Sequence, residues 1–128
     1  MEKTVVRTDR APAPFRGAPY SQAIALGDFV FVSGQLPLDP ASGTVVGATI
    51  QEQTEQVFAN IGAILEEAGT GLDRLVKTTV FLVDLADFAG MNEVYARHVG
   101  DRPPARSTVE VAALPSGALV EIEAVATI

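Results

Sequence analysis

The residues best placed to do chemistry cluster near the C-terminus. Alternation along a strand puts Arg106, Thr108 and Glu110 on one face and Ser107, Val109 and Val111 on the other. On the closing segment, Leu119, Glu121, Glu123 and Val125 share a face, opposite Val120, Ile122 and Ala124. If the chain turns near Leu114-Pro115, the two segments form a hairpin with Arg106 across from Glu123 and diagonal to Glu121. One guanidinium beside two carboxylates supports two readings. One is a cross-strand ion pair on a solvated face. The other is an anion-binding arginine with a carboxylate that orients a water.

Other positions carry weaker signals. Ser33-Gly34-Gln35 ends an apolar run, and a glycine there lets backbone approach a ligand, although a strand-end turn explains it as well. Tyr20 can wall a pocket, or be a buried tyrosine with its hydroxyl satisfied. Asn92 reads first as a solvent-facing helix residue. His98 reads as an exposed cation at a helix end, favoured by the helix dipole. Gly27, Gly34, Gly43 and Gly47 do not make a phosphate-binding loop, since none leads through a Lys into a helix.

Composition narrows the chemistry further. The chain has 128 residues and no cysteine, so disulfides, thiolate zinc sites and cysteine nucleophiles are excluded. A single histidine excludes multi-histidine metal sites. Sixteen acidic against nine basic residues give a net charge of −7, which disfavours nucleic acid as a partner. Residues 1–10 mix acidic and basic side chains unlike a targeting peptide, and no apolar run is long enough for a membrane span. A cytoplasmic protein without a membrane partner is the expectation.

The elements that must position these residues read as β-β-β-α-β-α-β-β. Thr4–Thr8 and Ser21–Leu26 are strands, separated by a segment kept non-helical by Pro12, Pro14 and Pro19. Phe29-Val30-Phe31-Val32 is a continuous apolar strand, expected to be buried on both faces. Thr49 and Glu52 form a capping box for a helix over 49–68, with Val57, Phe58, Ile61, Ile64, Leu65 and Ala68 on its apolar face. Leu75–Val83 is a strand. Asp84 caps a second helix whose face is Phe88, Met91, Tyr95 and Val99. Arg106–Ala112 and Leu119–Ile128 are the closing strands. The sum is one domain over 1–128, a two-layer α+β fold with two helices on one face of a mixed sheet. Two helices cover one face only, yet two strands are apolar on both faces. A second copy of the chain is the expected cover.

Four segments together resemble the RidA (YjgF) family of reactive-intermediate deaminases: APAPFRGAPYSQA (11–23), FVSGQLPLDPASG (31–43), VKTTVFLVDLADFAGMN (76–92) and PPARSTVEVAALPSGALVEIEAVA (103–126). The resemblance spans nearly the whole chain, and the last motif is the most specific. It implies a chorismate-mutase-like α+β domain. It also implies a homotrimer, with the sheets packed into a central barrel and clefts between subunits. The implied reaction is hydrolysis of 2-imino or 2-enamino acids, such as 2-iminobutanoate and 2-iminopropanoate, to 2-keto acids and ammonia without metal or cofactor. Arg106 matches the arginine that clamps the substrate carboxylate, and Glu121 the glutamate that positions water. Gly34 and Thr108 match positions whose backbone N–H groups line the anion site. Tyr20, Ser33 and Asn92 match other cleft residues.

The chain departs from the family pattern in two places. Arg16-Gly17-Ala18 precedes Pro19-Tyr20, where better-known members have glycine directly before the proline. Thr108 stands where several members have cysteine, a swap to which a backbone donor is indifferent. A non-catalytic ligand-binding or regulatory trimer using the same cleft is the alternative function. A chorismate-mutase-like isomerase would want several convergent cations, and a ribonuclease a basic surface. The sequence offers neither.

Overall fold

A computed structural model describes residues 1–128. Six strands form one sheet: β1 (Thr4–Val6), β2 (Ala23–Leu26), β3 (Phe29–Gln35), β4 (Leu75–Leu82), β5 (Ala105–Glu110) and β6 (Val120–Thr127). Two helices, α1 (Ile50–Glu67) and α2 (Phe88–Val99), pack against one face of it. The mixed sheet with two helices matches the expected α+β class, and neither helix is long and apolar enough to cross a membrane.

The helix signals are realised closely. The Thr49 hydroxyl accepts the Glu52 N–H (3.2 Å), and Oε1 of Glu52 accepts the Thr49 N–H in return (3.2 Å). Val57, Phe58, Ile61, Ile64 and Leu65 are fully buried against Val30, Val80, Val120 and Ile122 of the sheet. The second helix starts differently from expectation. Asp84 caps a single 3-10 turn, Leu85–Asp87, by accepting the Ala86 N–H, and α2 begins after it. Phe88 is exposed, and Val94 takes its place among the buried residues with Met91, Tyr95 and Val99. His98 is not free at the helix end. Its ring stacks on Phe58 (4.7 Å between centroids) and Nε2 lies 2.9 Å from a Glu55 oxygen, clipping α2 to α1.

The strand order is β1-β2-β3-β6-β4-β5. This overturns the expected hairpin of the last two strands. The strand β4 pairs antiparallel with β6 on one side and parallel with β5 on the other. A parallel neighbour needs a crossover connection, and α2 supplies it between β4 and β5. The stretch Val111–Leu119 then carries the chain past β4 to reach β6.

Alternation sorts the sheet into two unlike faces. Val30, Val32, Val80, Leu82, Val120, Ile122, Ala124 and Ala126 point under the helices and are buried. The opposite face carries Phe29, Phe31, Phe81, Val109 and Val125 with no element of the chain over it. The expected two-sided burial of Phe29–Val32 is therefore half met: Val30 is fully buried, but Phe29 and Phe31 are 43% and 45% exposed. An apolar sheet face left bare by its own chain marks a candidate interaction surface.

Candidate active site in two halves

Arg106 sits on the helix-covered face of β5, an edge strand of the sheet. Its guanidinium lies over the rings of Tyr95 (4.7 Å to the centroid) and Phe88 (5.4 Å) on α2. Tyr95 is held in turn. Its hydroxyl bonds the Thr78 hydroxyl at 2.6 Å and its ring meets Phe58 edge-on. Arg106 makes no ion pair within the chain, so the cross-strand salt-bridge reading fails. The cause is topological, because β4 lies between Arg106 and the carboxylates of β6.

The open edge of β5 adds donors. The Val111 N–H donates to the Leu82 carbonyl (2.8 Å). Alternation then turns the N–H groups of Arg106, Thr108 and Glu110 away from β4, toward the free edge. The Thr108 hydroxyl oxygen is buried and has no hydrogen-bond partner within the chain. Asn92, one turn before Tyr95 on α2, is half-buried and shares a cavity of about 390 Å³ with Arg106. A cation on an aromatic shelf, flanked by an amide and unpaired backbone donors, suits a carboxylate.

Glu121 sits on the other face, paired across to Phe81 of β4. Its cavity, about 490 Å³, also takes in Tyr20, Ser33, Gly34 and Glu123. Here β3 bulges: Val32 pairs with Ala124 and Gln35 with Ile122, so Ser33 and Gly34 together face the single Glu123. The bulge brings Gly34 under the Glu121 side chain. A Cβ on residue 34 would stand 2.9 Å from both the carboxyl carbon and Oε1 of Glu121. Ser33 is committed to the scaffold, its hydroxyl donating to the Ser21 carbonyl (2.6 Å). Tyr20 is 42% exposed, and its hydroxyl accepts the Phe15 N–H. Burial, and secondarily the Glu123 carboxylate, raise the Glu121 pKa above the ordinary glutamate value. Such a carboxyl both accepts and returns a proton more readily near neutral pH.

The seven sequence-derived residues therefore fall into two groups. Arg106, Thr108 and Asn92 gather at the β5–α2 side. Glu121, Gly34, Ser33 and Tyr20 gather on the opposite face, around the β3 bulge. Sequence reasoning missed the aromatic shelf, because Phe88 and Tyr95 at helical spacing read as core. It also missed Phe15, whose N–H holds Tyr20.

A two-layer α+β domain with a bare sheet face, and an arginine without an ion pair on its edge strand, defines the class to which the chain belongs. Comparison with known proteins makes the class specific. The family profile described as "Endoribonuclease L-PSP" matches residues 8–128. A RutC family protein of Pyrococcus abyssi is 54% identical over 126 residues, 98% of each chain. The 2-iminobutanoate/2-iminopropanoate deaminase of Capra hircus is 44% identical over 98% of this chain and 90% of its own. The crystal structure of RidA from the Antarctic bacterium Psychrobacter sp. superposes with a TM-score of 0.93 at 46% identity, over 98% of this chain and 99% of that one. The chain belongs to the RidA (YjgF) family.

The Gly34–Glu121 contact yields a direct check. In Gly34→Ala, the flexible end of Glu121 should give way rather than the strand. A crystal structure should show the carboxylate displaced from residue 34, with unfolding stability within about 1 kcal/mol of the parent. An unmoved carboxylate over a displaced β3 backbone would contradict the role given to the glycine.

Proposed function

We propose that this protein hydrolyses 2-imino acids, and their 2-enamino tautomers, to 2-keto acids and ammonia. The site is assembled between neighbouring chains of a homotrimer. The carrying observation is that Arg106 and Glu121 lie on opposite faces of the sheet in one chain. Each is at an open cavity, and neither faces the other. The bare face with Phe29 and Phe31 supplies the reason to associate. The number three rests on the family resemblance, and the substrate class on relatives such as the Capra hircus deaminase.

In this reading Arg106 binds the substrate carboxylate as a two-pronged donor, with the Thr108 N–H on the free edge and Asn92 beside it. The neighbouring chain presents Glu121 over Gly34, with Tyr20 as a wall. Water attacks the iminium carbon C2 as Glu121 takes one of its protons. The resulting carbinolamine carries a hydroxyl and an amine on C2. Glu121 returns the proton to nitrogen, the C–N bond breaks to release ammonia, and the hydroxyl proton passes to that ammonia as the keto group forms, so iminium and water leave as 2-keto acid and ammonium. The imine is already electrophilic, so binding, aiming one water and moving one proton suffice. General acid–base catalysis of this kind contributes about 10²–10⁴-fold.

The endoribonuclease activity in the family's description fits this chain poorly. Its net charge is −7, and the Glu121 cavity holds a second carboxylate that would repel phosphate.

The test is turnover of imines made in situ by an amino-acid oxidase, with melting temperature measured on the same preparations. Hydrogen bonds to charged groups contribute roughly 1.5–3 kcal/mol each, so Arg106→Ala should lose on the order of 10²-fold or more in kcat/KM. Arg106→Lys should recover little, since an ammonium cannot make the paired bonds. Arg106→Lys should melt near the parent and Arg106→Ala only a few degrees below it, because Arg106 has no ion pair to lose and gives up only its contact with Tyr95 and Phe88. Near-parental turnover in Arg106→Ala would end the assignment. Binding of 2-keto acids without any turnover by the parent would favour the non-catalytic trimer.

A further inference from the structure

The cavity around Glu121 is shaped by two type I′ turns. In Phe15–Ala18, Arg16 and Gly17 both have positive φ (54° and 67°), and the Ala18 N–H donates to the Phe15 carbonyl at 3.1 Å. In Pro115–Ala118, Ser116 and Gly117 repeat the pattern (59° and 69°), with the Ala118 N–H on the Pro115 carbonyl at 3.2 Å. Arg16 and Ser116 are the only non-glycine residues of the chain in this strained region. Strain of this kind persists where the surroundings demand a particular placement. Here it sets the first residue of each turn, Phe15 and Pro115, on the wall of the Glu121 cavity. Phe15 is further fixed by its N–H bond to Tyr20 and by packing against Leu36, Leu38 and Ala118.

The charge that a single chain gives this cavity is entirely acidic. Glu121 and Glu123 line it, and no Lys or Arg does. The nearby Arg16 guanidinium lies over the Phe15 ring and lines a separate cavity with Ser42, Gly43 and Ser116. Glu121 has work in the reaction above, whereas Glu123 has none. Glu123 stands two residues further along the same strand face, about 7 Å away, opposite the bulge.

We propose that Phe15 and Glu123 select the substrate's side chain: Phe15 gives an aliphatic side chain an apolar wall, and Glu123 turns away a second carboxylate. The inference rests on the deaminase reading for its substrate. With Arg106 of the neighbouring chain holding the 2-carboxylate and Glu121 at C2, the remaining substituent of C2 is directed to this wall. An apolar contact of that size discriminates about 10–200-fold. Repulsion between like charges in a partly screened cleft discriminates about tenfold.

The experiment measures kcat/KM for three imines: those from 2-aminobutyrate and leucine, made by an L-amino-acid oxidase, and that from D-aspartate, made by D-aspartate oxidase. In parallel, Kd is measured for 2-oxobutanoate, 4-methyl-2-oxopentanoate and 2-oxoglutarate. Phe15→Ala should lower the leucine-to-aminobutyrate ratio about tenfold, and the milder Phe15→Leu should lower it less, in the same direction. Glu123→Gln should raise the aspartate-to-aminobutyrate ratio about tenfold. Ratios within twofold of the parent in folded variants would overturn the inference. If the parent turns over no imine, the deaminase reading falls, and the keto-acid Kd ratios still decide whether this wall selects side chains.

Discussion

One constraint governs this molecule: β4 stands between the strand that carries Arg106 and the strand that carries Glu121. Because β5 follows β4 in parallel through α2, Arg106 turns toward the helices and β5 becomes an edge. Because β6 lies inside the sheet, its outward face presents Glu121 and Glu123 on the side no helix covers. The arginine and the glutamate cannot meet within one chain. The bare face, the unpaired arginine and the two open cavities all follow from that arrangement.

Each candidate group is held at some cost to the chain. Arg106 forgoes a carboxylate partner and rests on Tyr95 and Phe88, a cation–π contact worth roughly 0.5–2 kcal/mol. Glu121 is held partly out of water beside another carboxylate, which raises its pKa, and it needs a residue without Cβ beneath it. Arg16 and Ser116 add strained backbone, on the order of 1–3 kcal/mol each. The core beneath, with Val57, Phe58, Ile61 and Ile64 fully buried against the sheet, is what sustains these local losses.

What could be read from the residues follows the range of the interactions. The first helix, with its capping box and apolar stripe, depends on neighbours three and four apart, and the structure reproduces it within a residue or two. The alternation of β5 and β6 was equally legible: Arg106 with Thr108, and Glu121 with Glu123, do share faces. Which strand each would pair with was not legible, because pairing is decided by a crossover through α2 and not by local pattern. A hairpin was the local expectation, and the inserted β4 defeated it. His98 failed for a related reason, since its partners Phe58 and Glu55 lie on the other helix. Phe29 and Phe31 were read as buried on both faces of the sheet, but within one chain they lie exposed. The family motifs named the candidate residues, and the topology places them on two different faces of the sheet.

The division of the site between chains is tested most directly by mixing two inactive variants. Chains carrying Arg106→Ala and chains carrying Glu121→Gln, co-assembled in equal amounts, place an intact Arg106 half against an intact Glu121 half at about one interface in four of a closed ring. The account therefore predicts about a quarter of the parental deaminase activity from two preparations that are each nearly inactive alone. Activity no greater than the sum of the separate variants, in assemblies shown to be mixed, would contradict it.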